Sequence, residues 1–294
     1  MKKSVFRIAL ILGLQLNLTA SAQTEKISLR IPNFARPLVE KWANDYKNSN
    51  HNVDFHFTTG KSQDNNTLTL TTDADGVSFA RYAVLPVTTK DSEAAHLTAS
   101  HRLNNKKLRS LFFVKDEWDE DVKETKADKQ VHVYTGNSQL SASRLYASHL
   151  KQENANYKGK KIAGDDSFLI TAINRDPLGI TVNYLSNIFD LKSRELRPSL
   201  ALLPLDIDKQ GRQALENGRL DNIIELLEQE EYAEIPIGNI GFEYNHANVA
   251  INDFVRWILT VGVRDLHQYG LLSLPQKELV AQQHRVDQKF LAQK

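Results

Sequence analysis

The 294-residue sequence contains no cysteine. Thiol nucleophiles, disulfide frameworks, thiolate metal sites and a lipid-modified cysteine are all excluded by that absence. An excess of one charge is lacking too: 37 Lys and Arg stand against 36 Asp and Glu. Such a balance gives no electrostatic reason to expect nucleic acid or an anionic membrane surface as a partner. No long apolar run is present; the longest, "IALILGLQLNL", is about eleven residues, well short of the ~20 that span a bilayer.

Signatures of catalysis are equally sparse. The nine histidines form no HExxH pair, and no glycine-rich Rossmann or P-loop pattern occurs. "DIDKQG" (206–211) opens like a calcium loop, but Asn217 stands where the twelfth-position glutamate belongs. "GDD" (164–166) places two carboxylates side by side, which a turn or a helix N-cap explains. Ser138, in Gly136-Asn137-Ser138-Gln139-Leu140, lacks the second glycine of a nucleophile elbow. The expectation is a protein that is not an enzyme and has neither cofactor nor metal.

What is present begins with a basic opening, "MKKSVFR", the short apolar run, and the small residues "ASA". These are the three parts of a secretory signal, with cleavage expected after Ala22 and a mature chain starting at Gln23. Losing Lys2, Lys3 and Arg7 moves the formal charge from +1 to −2. The mature protein is expected in the periplasm, as a monomer that is not inserted in the membrane. Its roughly 270 residues exceed one ordinary core, so two lobes are expected.

Periodicity supports an α/β architecture. "KISLRI" (26–31) reads as a strand, and Phe34, Leu38, Val39, Trp42, Ala43 and Tyr46 then mark one face of a helix. "NVDFHF" and "TLTLTT" read as further strands, and a strand-helix-strand order at these lengths implies a parallel pair. "QVHVY" (130–134) reads as a strand leading into a helix, while Phe168–Ile173 and Ile180–Phe189 read as helical. Helices are also expected over 220–229 and 251–262, where Ile251, Phe254, Val255, Ile258 and Leu259 repeat at helical spacing. The charged run at 115–129 reads as a solvated connection. "FARYAVLPVT" and "SLALLPLDID" are apolar strands broken by proline, which cannot donate to a ladder. Both are expected to leave their sheets there and to form the crossings between lobes. That divides the chain into 24–86 with 204–294, and 87–203.

The series "PNFARPLVEKWANDYKNSNHNVDFHFTTGKSQ", "FARYAVLPVTTKDSE", "LNNKKLRSLFF", "GNSQLSASRLYASHL" and "FVRWILTVGVRDLHQYGLLSLP" resembles, in order and spacing, the periplasmic phosphate-binding proteins of ABC transporters. The resemblance implies an α/β, two-lobe type 2 periplasmic binding protein fold with the ligand in the cleft between lobes. It implies capture of phosphate or a related small oxyanion for a membrane transporter, the anion being held by amides and hydroxyls at helix starts. Helix starts suit anions because their first amides are unpaired and the dipole is favourable. This chain departs from the pattern before its first helix, where Pro32-Asn33-Phe34-Ala35 has no hydroxyl, and at Gly60-Lys61-Ser62-Gln63. Lys61, Arg81 and Arg144 are candidates to replace the missing positive charge. The departures leave open an envelope adaptor that keeps the fold without the oxyanion site, working in an envelope complex.

"TGNSQLSASRLYASHL" (135–150) is the candidate lobe-two half of the site. One serine suffices to cap a helix, and here Ser138, Ser141 and Ser143 fall within six residues, at the end of a strand where α/β sheets bind ligands. Ser138 and Ser141, with the amides of Ala142 and Ser143, are expected to hold the anion opposite Asn33, Phe34, Lys61 and Ser62.

Overall fold

The computed structural model describes residues 24–49, 52–59, 64–73, 75–115 and 124–291. The expected signal, with Lys61 and Ser62, lies outside the described residues. Strand β1 (Glu25–Arg30) leads to α1 (Arg36–Ser49), which turns Leu38, Val39, Trp42, Ala43 and Tyr46 inward. β2 (Val53–Phe57) and β3 (Thr67–Thr71) then pair in parallel with β1, one on each side. β4 (Val77–Thr89) is thirteen residues long and belongs to two sheets.

Next come α2 (Glu93–Ala99), α3 (Asn105–Phe112), α4 (Lys126–Gln130), β5 (His132–Gly136), α5 (Ala142–His149) and β6 (Lys160–Ile162). They are followed by α6 (Ser167–Ile173), β7 (Gly179–Tyr184), α7 (Leu185–Ile188) and the hairpin β8 (Phe189–Asp190) with β9 (Glu195–Leu196). β10 (Leu200–Leu202), α8 (Lys209–Glu216), α9 (Leu220–Gln229), β11 (Ile237–Glu243), α10 (Val249–Thr260), a 3-10 helix (Gly262–Tyr269) and α11 (Gln276–Leu291) complete the described chain.

The two sheets share one plan. In lobe one the order is β2-β1-β3-β11-β4, with β11 antiparallel to both β3 and the first half of β4. Lobe two repeats it as β6-β5-β7-β4-β10, with the second half of β4 antiparallel to β7 and β10. Each sheet thus has three parallel strands, one antiparallel strand and one further strand beside it. Ala83 is the last β4 residue in register with β11, opposite Ile237, and Val84 the first in register with β7, opposite Tyr184.

Two sequence expectations are corrected here. Ile180–Tyr184 is not helical but the greater part of β7, with all six strand residues buried. Ile180, Val182 and Tyr184 alternate with Thr181 and Asn183 at the period of a strand, and the apolar residues of α7 that follow directly obscure that period. The break expected at Pro86 is also narrower than a strand end: β4 continues through it to Thr89. The proline ends the pairing with β10 instead. Leu203 N–H donates to the Pro86 carbonyl at 3.0 Å, and Pro86 has no N–H to return, so that ladder stops. β10 itself stays in lobe two.

Candidate functional site

β5 runs parallel to β6 and β7 and ends at Gly136, on the side of the sheet where the chain turns into α5. Ser141 caps α5, its Oγ accepting from Ser143 N–H at 3.3 Å. That hydroxyl also donates to a carboxylate from the same chain, Asp166, whose oxygens lie 2.9 and 3.1 Å away. Ala142 N–H donates to Asp166 Oδ2 at 2.6 Å. The donors of Ser141 and Ala142 that the sequence assigns to an external anion are thus taken by a carboxylate of the chain itself.

The surroundings fix this contact. A Cβ on Gly136 would fall 2.2 Å from Ser141 Oγ and 2.5 Å from Asp166 Oδ1, so any side chain there would displace the pair. Gly136 N–H donates to Ser143 Oγ at 3.0 Å, tying the strand end to the helix start. Asp166 is placed by the turn before α6, and its carbonyl accepts from Asn183 Nδ2 at 2.7 Å. Asn183 is fully buried at the end of β7, and its Oδ1 accepts from Tyr184 N–H at 2.9 Å and Asn187 Nδ2 at 2.8 Å.

Asp166 is 5% exposed and has no ion pair among the described residues. Burial raises its pKa from 3.8 to about 6; the Ala142 and Ser141 hydrogen bonds oppose that rise, and the neighbouring Asp165 charge adds to it. The "GDD" turn was visible in the sequence, but a local cap is the simplest explanation of it there. In the structure the Asp166 side chain makes no capping bond to α6 and reaches back to α5.

The lobe-one side meets lobe two through rings. Phe34 stacks on Tyr184 with centroids 4.2 Å apart and planes at 14°, and Tyr82 lies 5.6 Å from Tyr184. The Tyr184 hydroxyl donates to the Leu140 carbonyl. At the start of α1, Ala35 and Arg36 N–H donate to the Pro32 carbonyl at 3.2 and 3.0 Å, and Asn33 is exposed. Ser138 is exposed as well, its carbonyl accepting from Ser141 N–H at 3.2 Å. The structure thus gathers Ser141, Ala142 and Ser143 around Asp166, leaves Asn33 and Ser138 at the surface, and seats Phe34 on Tyr184. Of the two described candidate cations, Arg81 donates through Nε to the Ser273 carbonyl and Arg144 to Gln139 Oε1.

Between the lobes lies a cavity of about 470 Å³. It opens at the ends of β1, β2 and β3, where Arg30, Thr58, Thr69 and Thr71 line it, and reaches Gln139 and Leu140 across the cleft. Asp73 and Glu243 contribute acids to the same lining. Hydroxyls, one cation and two acids make a lining suited to a polar solute.

No protein-family model matches the sequence, and no curated protein matches it either. Solved structures are similar. A Clostridium perfringens protein assigned as a phosphate ABC transporter substrate-binding protein, with phosphate bound, superposes at a TM-score of 0.56, 11% identity, over 85% of this chain and 100% of that one. An ABC-type phosphate transport receptor from Vibrio cholerae gives 0.55 at 9% identity, over 85% and 100%. A possible phosphate binding protein from Planctomyces limnophilus gives 0.51 at 9% identity, over 91% and 99%. Two sheets of one plan, joined through a shared strand with a cavity between them, and the likeness to these structures over 85–91% of this chain identify the architecture: the chain has the α/β, two-lobe type 2 periplasmic binding protein fold.

Proposed function

We propose that this chain is an exported, non-catalytic binding protein that captures a small anion between its lobes, phosphate or a related oxyanion first, and passes it to a membrane transporter. The observation that carries the reading is the carboxylate bound at the start of α5. Ser141 and the Ala142 amide already hold an anion at 2.6–3.1 Å, which is the chemistry a small oxyanion requires. Asp166 is a stand-in for the ligand. An external oxyanion gains these donors when the carboxylate swings away or takes a proton, and lobe closure then shields the anion from water. The likeness to a fold that binds phosphate in the Clostridium perfringens structure supports the choice of ligand, and the N-terminal signal pattern supports export.

Calorimetric titration of phosphate into the wild type and Asp166→Asn tests this. At about pH 7.5 the variant should bind at least tenfold more tightly, because a like charge has left the cradle. The two affinities should converge towards pH 5, as wild-type Asp166 is protonated; changes in phosphate ionisation are common to both proteins and cancel in the ratio.

A second reading is an envelope adaptor that keeps the fold with its cradle closed. The contact between Phe34 and Tyr184 favours it, since stacked rings occupy the approach between α1 and lobe two. Absence of phosphate heat in both proteins at both pH values, with Asp166→Asn lowering only the melting temperature, would decide for the adaptor.

A further inference from the structure

A second cavity, of about 380 Å³, shares no residue with the cleft. Thr88 lies opposite Ile180 and Val84 opposite Tyr184, so β4 carries the chain away from the Asp166 turn towards Lys90. The cavity sits at that remote end of lobe two, between β10, the segment after it, and α8.

Its lining divides by chemistry. The buried part is apolar, with Leu200, Leu203, Leu205 and Leu215 at 8% exposure or less. The charged residues of the lining are exposed or half-buried and mostly cationic: Lys90, Arg102, Arg197 and Arg212, against one acid, Glu216, with further apolar residues such as Leu196 and Leu202 beside them. Among the described residues none of the four cations forms a direct ion pair, although Asp190 is near enough to Arg197 to feel its charge. Arg197 Nε donates to the Asn187 carbonyl at 2.8 Å and Arg212 Nη1 to the Ile207 carbonyl at 2.5 Å, bonds that orient a guanidinium without neutralising it. Two other arginines of this lobe are neutralised, Arg194 by Asp221 and Arg219 by Glu195. The volume falls within the roughly 300–1,000 Å³ of small-molecule sites.

We propose that this cavity binds a small amphipathic anion, an aliphatic tail lying on the leucines and an oxyanion head taken by the arginines. A wholly apolar ligand would leave the cations uncompensated, and an inorganic anion would leave the leucine surface wet. Charge and apolar area together select a molecule with both, and the planar guanidinium forks match a carboxylate head. The site is separate from the anion cradle and stands whether or not the cleft takes phosphate.

The test titrates the intact protein with decanoate below its micelle concentration, alongside decyltrimethylammonium, which carries a tail of the same length and the opposite charge, and acetate, which has the charge alone. Decanoate should saturate one site, with the other two at least tenfold weaker, and phosphate should not displace it. Arg102→Glu should weaken decanoate at least tenfold, and Lys90→Glu, also at an exposed position, should do so independently; Asp166→Asn should leave it unchanged. Failure of decanoate to saturate, equal binding of the two decyl ions, displacement by phosphate, or unchanged affinity in both charge-reversed variants would each overturn the proposal.

Discussion

Asp166 couples stability to pH in a direction opposite to that of most acids. Its carboxyl is raised from 3.8 to about 6 in the folded protein, so the fold binds this proton more tightly than the unfolded chain does. The resulting stabilisation is fully present below about pH 4 and is lost as pH rises through 6. Integrated between about pH 4.5 and 7.5, it is worth roughly 2 kcal/mol. Asparagine keeps the shape and removes the titration, so urea unfolding at the two pH values should show wild type gaining about 2 kcal/mol in acid relative to Asp166→Asn. Equal pH dependence in the two proteins would contradict a raised carboxyl. At this scale half of the contact was legible: a cluster of serines before a helix announces donors, and Ser141 and Ala142 are the donors used. The acceptor was not, because Asp166 lies 25 positions from Ser141 and its local pattern is complete as a turn.

Elements whose pattern differs between faces were readable, whereas β7, buried on both faces, was read as helical. α1 and α10 each present one apolar stripe, and the residues that the sequence assigns to it, Trp42 and Tyr46 in one and Phe254 and Ile258 in the other, are buried. Those stripes meet, with Tyr46 and Phe254 rings 5.0 Å apart. β7 lies between β4 and β5, and its alternation of Ile180, Val182 and Tyr184 with Thr181 and Asn183 runs straight into the apolar residues of α7, which hide its period. Its β-branched content, Ile180, Thr181 and Val182, is the signal that favours a strand. Ile180→Ala should cost roughly 2–5 kcal/mol in urea unfolding, since it opens a cavity at a site with 0% exposure and inserts a poor strand former. A loss below about 1 kcal/mol would mean that the core collapses around the site or that this segment is not a central strand.

At the scale of the molecule, the shared strand decides what can fold alone. Among the described residues β11 is the strand that joins β3 to the first half of β4, and it comes after α9 in the chain. The segments that flank α8 and α9 bond to lobe two: Leu103 N–H donates to the Pro204 carbonyl and Asp206 N–H to the Leu103 carbonyl, both near 3 Å, and Asn105 Nδ2 donates to the Ala233 carbonyl at 2.9 Å, while Glu228 of α9 also accepts from Ser273 N–H. The second crossing is therefore proposed at Pro236, whose carbonyl accepts from Val84 N–H at 3.2 Å beside the first crossing, in place of the proline at 204. Residues 84–235 then contain a whole sheet, β6-β5-β7-β4-β10, together with α8 and α9, which pack on each other. Residues 24–203 hold that same lobe without those helices, together with a lobe-one sheet split into β2-β1-β3 and an orphaned half of β4. The fragment 84–235 should unfold in one cooperative transition and give dispersed amide resonances, whereas in 24–203 the residues before 84 should give the collapsed spectrum of an unfolded chain. If 24–203 folds throughout while 84–235 does not, the lobes are continuous in sequence and β11 does not complete the first of them.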